Sequence, residues 1–175
     1  MSIKWKIDPA HSEIQFKVKH LLTITLTGHF RKFDLEVETE TDDFDTTKKI
    51  EFTAEINSIE TNNEERDAQL KSADFFNASA FPQLHFSSAG YKSSGGTLQG
   101  NLTIRGVTRP ITFDVAFSGI EKDPYGPTKA DLSLEGKLNR KDFGLVWPAA
   151  PEAGFSVAMS EEVKIHAEVQ LVKQG

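Results

Sequence analysis

Leu98-Gln99-Gly100-Asn101-Leu102-Thr103-Ile104 and Ile111-Thr112-Phe113-Asp114-Val115-Ala116-Phe117 stand close together near the middle of this 175-residue chain. In the first run Leu98, Leu102 and Ile104 share one parity, with Gly100 between them. In the second Ile111, Phe113, Val115 and Phe117 share one parity, and Thr112, Asp114 and Ala116 take the other. Side chains alternate between the faces of a strand, so each run has one oily side. Arg105-Gly106-Val107-Thr108-Arg109-Pro110 joins them, with Gly and Pro punctuating the turn. The pair predicts a long antiparallel hairpin with one apolar face.

The same alternation continues outward in both directions. Ile14, Phe16, Val18 and His20 share a parity, as do Phe33, Leu35 and Val37, with Glu36 and Glu38 facing the other way. Further sets are Ile50, Phe52, Ala54 and Ile56; Leu84 and Phe86; Ala130, Leu132, Leu134, Gly136 and Leu138; and Val163, Ile165, Ala167, Val169 and Leu171. That makes about eight strands, each oily on one side, which favours an antiparallel sheet over a parallel one buried on both faces. Only one segment breaks the period: Thr61-Asn62-Asn63-Glu64 has a capping-box pattern and opens a short helix running to Leu70, with a second short turn over Ser72–Phe76. Such strands build either a sandwich or a closed barrel, and periodicity alone leaves both open.

Composition narrows the function. One domain over residues 1–175 is the natural count at 19.5 kDa. Thirteen Phe against two Tyr and two Trp suit dry walls, because Phe is large and carries no polar atom. A net charge of −6 argues against nucleic acid, which needs basic clusters. The acidic run Glu36, Glu38, Glu40, Asp42, Asp43 and Asp45 reads as a solvated strand face and turn, without the spacing of an EF-hand. The absence of Cys excludes thiolate chemistry and disulfides. No stretch has the ~20 apolar residues of a membrane-spanning helix. The opening Met1-Ser2-Ile3-Lys4-Trp5 shows no signal-peptide pattern, so the expectation is cytoplasmic, or periplasmic for a chain whose leader has been cut away.

Four blocks together resemble the YceI-like family. They are Trp5-Lys6-Ile7-Asp8-Pro9-Ala10-His11-Ser12 with Phe16, Val18, His20 and Gly28-His29-Phe30; Glu65–Phe76 followed by Phe81-Pro82; Gly100–Pro110; and Arg140-Lys141-Asp142-Phe143-Gly144-Leu145. They span nearly the whole chain in the family's order. The resemblance implies an all-β fold: an elongated, lipocalin-like antiparallel barrel of about eight strands with a short helix beside it. It also implies non-catalytic binding or carriage of a long apolar chain inside the barrel: a polyisoprenoid, an isoprenoid quinone or a fatty-acid derivative. Such a lipid is the only bound group expected, with no metal or other cofactor, and barrels of this kind can pair into homodimers. Combined with parity, the resemblance makes Ile14, Phe16, Val18, His20, Phe30, Phe33, Leu35, Phe52, Ala54, Ile56, Leu70, Phe75, Phe76, Phe86, Leu102, Ile104, Phe113, Val115, Leu132, Leu134, Arg140, Phe143 and Trp147 the candidate ligand-contacting residues.

Several of these admit two readings. Asp8 and Ser12 suit backbone bonds at a turn better than contact with a ligand's head group, and catalysis least. An inward His20 needs a partner, either a core group or the polar end of a ligand, while His85 and His166 fall out of phase and should be exposed. No His pair has metal-ligand spacing. Arg66-Asp67 suits an ion pair with the barrel, and Arg140 a salt bridge at its rim or an anchor for an anionic head group. Phe75-Phe76 should pack against the barrel rather than enter a membrane. Two other classes remain open: an isomerase or hydrolase with His20 or His11 as base, and an assembly module whose barrel is filled by its own side chains.

Overall fold

The computed structural model describes residues 2–20, 24–73, 75–91, 95–145 and 160–174, except for the side chains of His20 and Ile24. Strands β1 (Ile3–Ile7) and β2 (Glu13–His20) run in one direction, broken by a 3-10 turn over Pro9–His11. β3 (Ile24–Phe30) and β4 (Phe33–Thr39) return beside them, broken at Arg31-Lys32. β5 (Thr47–Glu55) and β6 (Ile59–Glu60) follow, interrupted by a 3-10 turn over Ile56–Ser58. After the helix α1 (Glu64–Lys71) come β7 (Gln83–Ser88), β8 (Thr97–Ile104), β9 (Val107–Lys122), β10 (Thr128–Asn139) and β11 (Glu162–Lys173).

Every pairing is antiparallel, and β11 pairs with β1 and β2 as well as β10. The eleven segments therefore close on themselves. With each broken strand taken as one, they form an eight-strand antiparallel barrel with one helix. Strands alternate in direction, so α1, the β8–β9 turn and the start of β11 gather at one end. The β4–β5 and β9–β10 connections lie at the other.

Local chemistry differs from the sequence reading in four places. The central turn is only Arg105-Gly106, with φ of 51° and 75° and Ile104 paired to Val107. Two positive φ values match the right-handed twist of the flanking strands, and Gly takes one of them without steric cost. Val107–Pro110 therefore belong to β9. Pro110 sits opposite Asn101, on the part of β9 that extends past β10, so its missing N–H interrupts no ladder there. The helix cap is Asn63, whose side chain accepts from the Arg66 backbone N–H at 2.9 Å, rather than Thr61. Arg66 and Asp67 make no ion pair with the barrel among the described residues. Both grip Thr61: Asp67 accepts from its backbone N–H at 2.8 Å, and Arg66 Nη2 donates to its carbonyl at 2.7 Å. Finally, Ile56 does not extend β5 but opens the 3-10 turn that ends it.

Inside, Trp5 is fully buried and its indole N–H donates to Thr39 Oγ1 at 3.1 Å. Its ring lies 4.8 Å from Phe44, which lies 5.1 Å from Phe117, an aromatic chain toward the end opposite α1. A bulge in β9, where Asp131 faces Gly119 but Leu132 faces Phe117, resets the parity, so Ile120 follows Phe117 onto the inner face.

Candidate functional site

The side chains of the described residues do not fill the barrel interior. A cavity of about 190 Å3 remains, with a wall of Ile, Leu, Val, Phe and Ala that, among the described residues, only Gln15, Thr47, Tyr91 and Arg140 interrupt. That space is many times what one water needs. Glycines help to shape the wall. Gly28 faces Phe16 across β2–β3, and Gly136 faces Phe113 across β9–β10. A Cβ on Gly28 would come within 2.2 Å of the Phe16 ring, and one on Gly136 within 2.6 Å of the Phe113 ring. Each inward ring thus lies over a bare stretch of neighbouring strand. Phe113 also meets Phe86 edge-on at 5.3 Å, and Phe30 meets Phe76 edge-on at 6.5 Å. The second contact brings the turn after α1 onto the wall of the barrel.

Of the residues singled out from sequence, Ile14, Phe16, Val18, Phe30, Leu35, Phe52, Leu70, Phe76, Phe86, Leu102, Ile104, Phe113, Val115, Leu132, Leu134 and Arg140 stand together on the cavity wall. Five described candidates do not. Ala54, Ile56, Phe75 and Phe143 are at most 2% exposed and take part in packing away from the wall. Phe33 is half-buried and faces a separate, smaller cavity. Parity distinguishes inside from outside, but not the height along the barrel at which space is left open. Trp147 lies outside the described residues, as does the side chain of His20, whose backbone pairs with Ile24 at the end of β2. The cavity is also lined by residues outside the candidate list, among them Val37, Ile50, Leu98, Phe117 and Leu138, which belong to the alternating apolar sets of the sequence, and Leu26, Phe44, Thr47, Tyr91 and Leu145, which belong to none of those sets. Leu26 could have been found, because Ile24, Leu26, Gly28 and Phe30 alternate once Gly28 is accepted as an inward position. Tyr91 and Phe44 lie in connections, where no periodicity points to them.

Arg140 is the one charged group on this wall among the described residues, and it is 7% exposed. Its Nε donates to the Ser160 carbonyl at 3.1 Å and its Nη1 to the Leu145 carbonyl at 2.8 Å. Burial lowers its pKa from the ordinary guanidinium value, while the charge of Glu161 works the other way. The guanidinium thus ties the 3-10 turn over Arg140–Phe143 to the start of β11. Tyr91 is also buried, and burial, then the nearby Asp45 charge, raises its phenol pKa.

The other polar groups of interest lie elsewhere. Asp8 caps the Pro9–His11 turn by accepting from the Ala10 N–H at 3.0 Å and lies 2.8 Å from His11 Nδ1. Ser12 Oγ accepts from the Gln170 N–H at 3.0 Å. His85 pairs with Glu51 at 2.6 Å, and His166 lies between Glu135 and Glu168, all on partly exposed surface.

A family model described as a YceI-like domain matches residues 5–171. A UPF0312 protein of Staphylococcus aureus is 38% identical over 166 residues, covering 93% of this chain and 94% of its own. The crystal structure of the Campylobacter jejuni YCEI protein matches with a TM-score of 0.75 at 28% identity, covering 91% of both chains. A polyisoprenoid binding domain from Saccharophagus degradans shares the fold at a TM-score of 0.68 and 12% identity, covering 97% of this chain and 98% of its own. With the family model matching nearly the full length, and the four sequence blocks lying on a closed barrel, the chain belongs to the YceI-like family.

Proposed function

We propose that the protein binds a long, slender apolar lipid, an isoprenoid or acyl chain, inside its barrel and does not transform it. The observation that carries this reading is the 190 Å3 cavity with its almost wholly hydrocarbon wall. Such a wall offers a guest dispersion contacts and shelter from water but little that could move a proton. Its cation Arg140 is tied to backbone carbonyls. His11, one of the two bases an enzyme reading would use, is an exposed turn residue off the cavity wall. The polyisoprenoid binding domain that shares this fold supports the same ligand class.

The test is organic extraction of protein purified without detergent, followed by mass spectrometry. The expected result is a co-purifying isoprenoid or acyl chain, or stoichiometric uptake of an added one that is recovered unchanged. Clean protein that takes up neither an added prenyl chain nor a fatty acyl chain would overturn the reading. A chemically altered chain would overturn its non-catalytic half.

A further inference from the structure

Opposite α1, the apolar cavity ends on a packed aromatic layer. Phe44 and Phe117 line the cavity there, while Trp5, Thr39 and Ala130, all fully buried, lie beyond it and off its wall. The layer is held from several sides. Phe44 opens a 3-10 turn over Phe44–Thr46 that Asp43 caps, its side chain accepting from the Asp45 N–H at 2.9 Å. The Thr47 hydroxyl donates to the Phe44 carbonyl. Phe44 then lies between Phe117 and the Trp5 ring that Thr39 holds. Across the same end Asp42 bridges the Lys173 amine at 2.8 Å and the Lys122 amine at 3.5 Å, tying the β4–β5 connection to β11 and β9. At the α1 end, by contrast, Leu138 and Val163 line the cavity only half-buried. A guest that enters there runs down the barrel until it meets the rings of Phe44 and Phe117.

The inward side chains of β11 measure that distance. Val163, Ile165, Ala167, Val169 and Leu171 all line the cavity, a run of about 27 Å at ~3.4 Å per residue. At a usual barrel tilt of roughly 40°, that is about 20 Å along the axis. An extended carbon chain, with bonds of about 1.5 Å and angles near 111°, advances roughly 1.25 Å per bond. About sixteen bonds therefore fit end to end, the length of roughly four isoprene units or a straight acyl chain of about sixteen to eighteen carbons.

We propose that Phe44 and Phe117 are the end stop that sets how long a tail this barrel accepts, at about four isoprene units. The inference rests on the barrel being the lipid site and adds which residues measure the guest. Hydrocarbon that moves from a bilayer into the cavity changes its surroundings little, so length is neutral while the chain fits. Each methylene that does not fit is left in water, at about a fourfold loss in partition.

Transfer of labelled prenyl alcohols of three, four, five and six isoprene units from phosphatidylcholine vesicles to the full chain tests this. The fraction on the protein should be about equal for three and four units and fall on the order of tenfold or more for each unit beyond, as the added carbons stay in water. Phe117→Ala, which takes a ring out of the stop, should move that fall to longer chains by about one unit. Phe44→Leu, a milder trimming, should raise the five-unit alcohol relative to the four-unit one. Phe86→Leu trims a ring from the side wall on β7, and should change all four alcohols alike while the fall stays at the same length. Thermal melts check that each variant folds. A fraction that does not fall up to six units overturns the proposal, as does a fall that stays at the same length in both end-stop variants, or one that Phe86→Leu moves equally. Each of those outcomes leaves the barrel reading standing. If no alcohol transfers at any length, the barrel reading fails and this proposal fails with it.

Discussion

Gly136→Ala puts the smallest useful probe against the cavity wall. The new Cβ falls 2.6 Å from Phe113 Cδ1 and 2.8 Å from Cε1, too close for the ring to stay where it is. In a filled interior, overpacking of this kind costs about 1–3 kcal/mol. Here the ring borders open space, so it can tilt inward, and the cost should lie near the lower limit, about 1 kcal/mol. For a chain of this size that is a fall in Tm of about 2–4 °C. The displaced ring takes room from the guest. Each methylene the guest can no longer bury forfeits ~0.8 kcal/mol, about a fourfold loss of affinity. The assay is a thermal melt of delipidated protein paired with titration of a prenyl chain, both compared with the unmodified chain. A fall in stability of about 3 kcal/mol or more with unchanged lipid affinity would mean that no slack lies behind Phe113. The cavity argument would fail with it.

Arg105 donates to the Ala73 carbonyl at 3.0 Å and to the Gly144 carbonyl at 3.1 Å, tying the turn after α1 to the turn that follows β10. Arg105→Asn keeps the positive-φ turn, since Asn-Gly suits it, and removes both ties. Stopped-flow exchange of bound lipid should speed up several-fold, at a stability cost of about 1 kcal/mol. Arg140→Met removes two charged donors from buried carbonyls, and urea unfolding should report a loss of about 2–4 kcal/mol. Asp42 lies 2.8 Å from the Lys173 amine and 3.5 Å from the Lys122 amine, and its hydrogen bond to Lys173, foremost, depresses its pKa. A depressed carboxylate contributes stability that is present above its unfolded pKa, near 4, and lost as pH falls through the folded value. Melts from pH 6 down to pH 2.5 should therefore show Tm falling below about pH 4, and Asp42→Asn should make that fall shallower.

Strand identity was legible because a barrel wall is one-sided at every strand. Each apolar set read from sequence falls on one of the eight barrel strands, from Ile14–His20 on the first to Val163–Leu171 on the last. Closure itself was carried by the family resemblance, because alternating faces cannot distinguish a barrel from a sandwich. Height along the axis was not legible. Phe75 and Phe76 are adjacent, yet Phe75 is fully buried in packing and Phe76 lines the cavity, a difference set by the turn after α1. The strand breaks left only a faint signal. The inward parity changes from Leu26, Gly28 and Phe30 to Phe33, Leu35 and Val37 across Arg31-Lys32, but only the ladder shows that the polar His29 and Arg31 stand beside a gap.

The cavity wall bears on how such a barrel could choose its guest. Burying a forty-carbon chain would nominally be worth roughly 30 kcal/mol against water, beyond any real affinity. The true competitor for a membrane lipid is the bilayer, whose interior is as apolar as this cavity wall. Moving hydrocarbon from one to the other changes the hydrophobic term little, which favours exchange over tight retention. The same cancellation removes most of the wall's power to discriminate, since one slender chain meets it much as another does. Selectivity must then come from what the bilayer interior lacks. The first such feature is a fixed shape, which here depends on rings such as Phe16 and Phe113 lying against bare glycine. The second is a set of placed polar groups, and among the described residues these are Gln15, Thr47, Tyr91 and Arg140 on the wall itself. Arg140, held by the Ser160 and Leu145 carbonyls, is the charged member of that set, so the same bonds that fix the end of the barrel also fix the place of its charge.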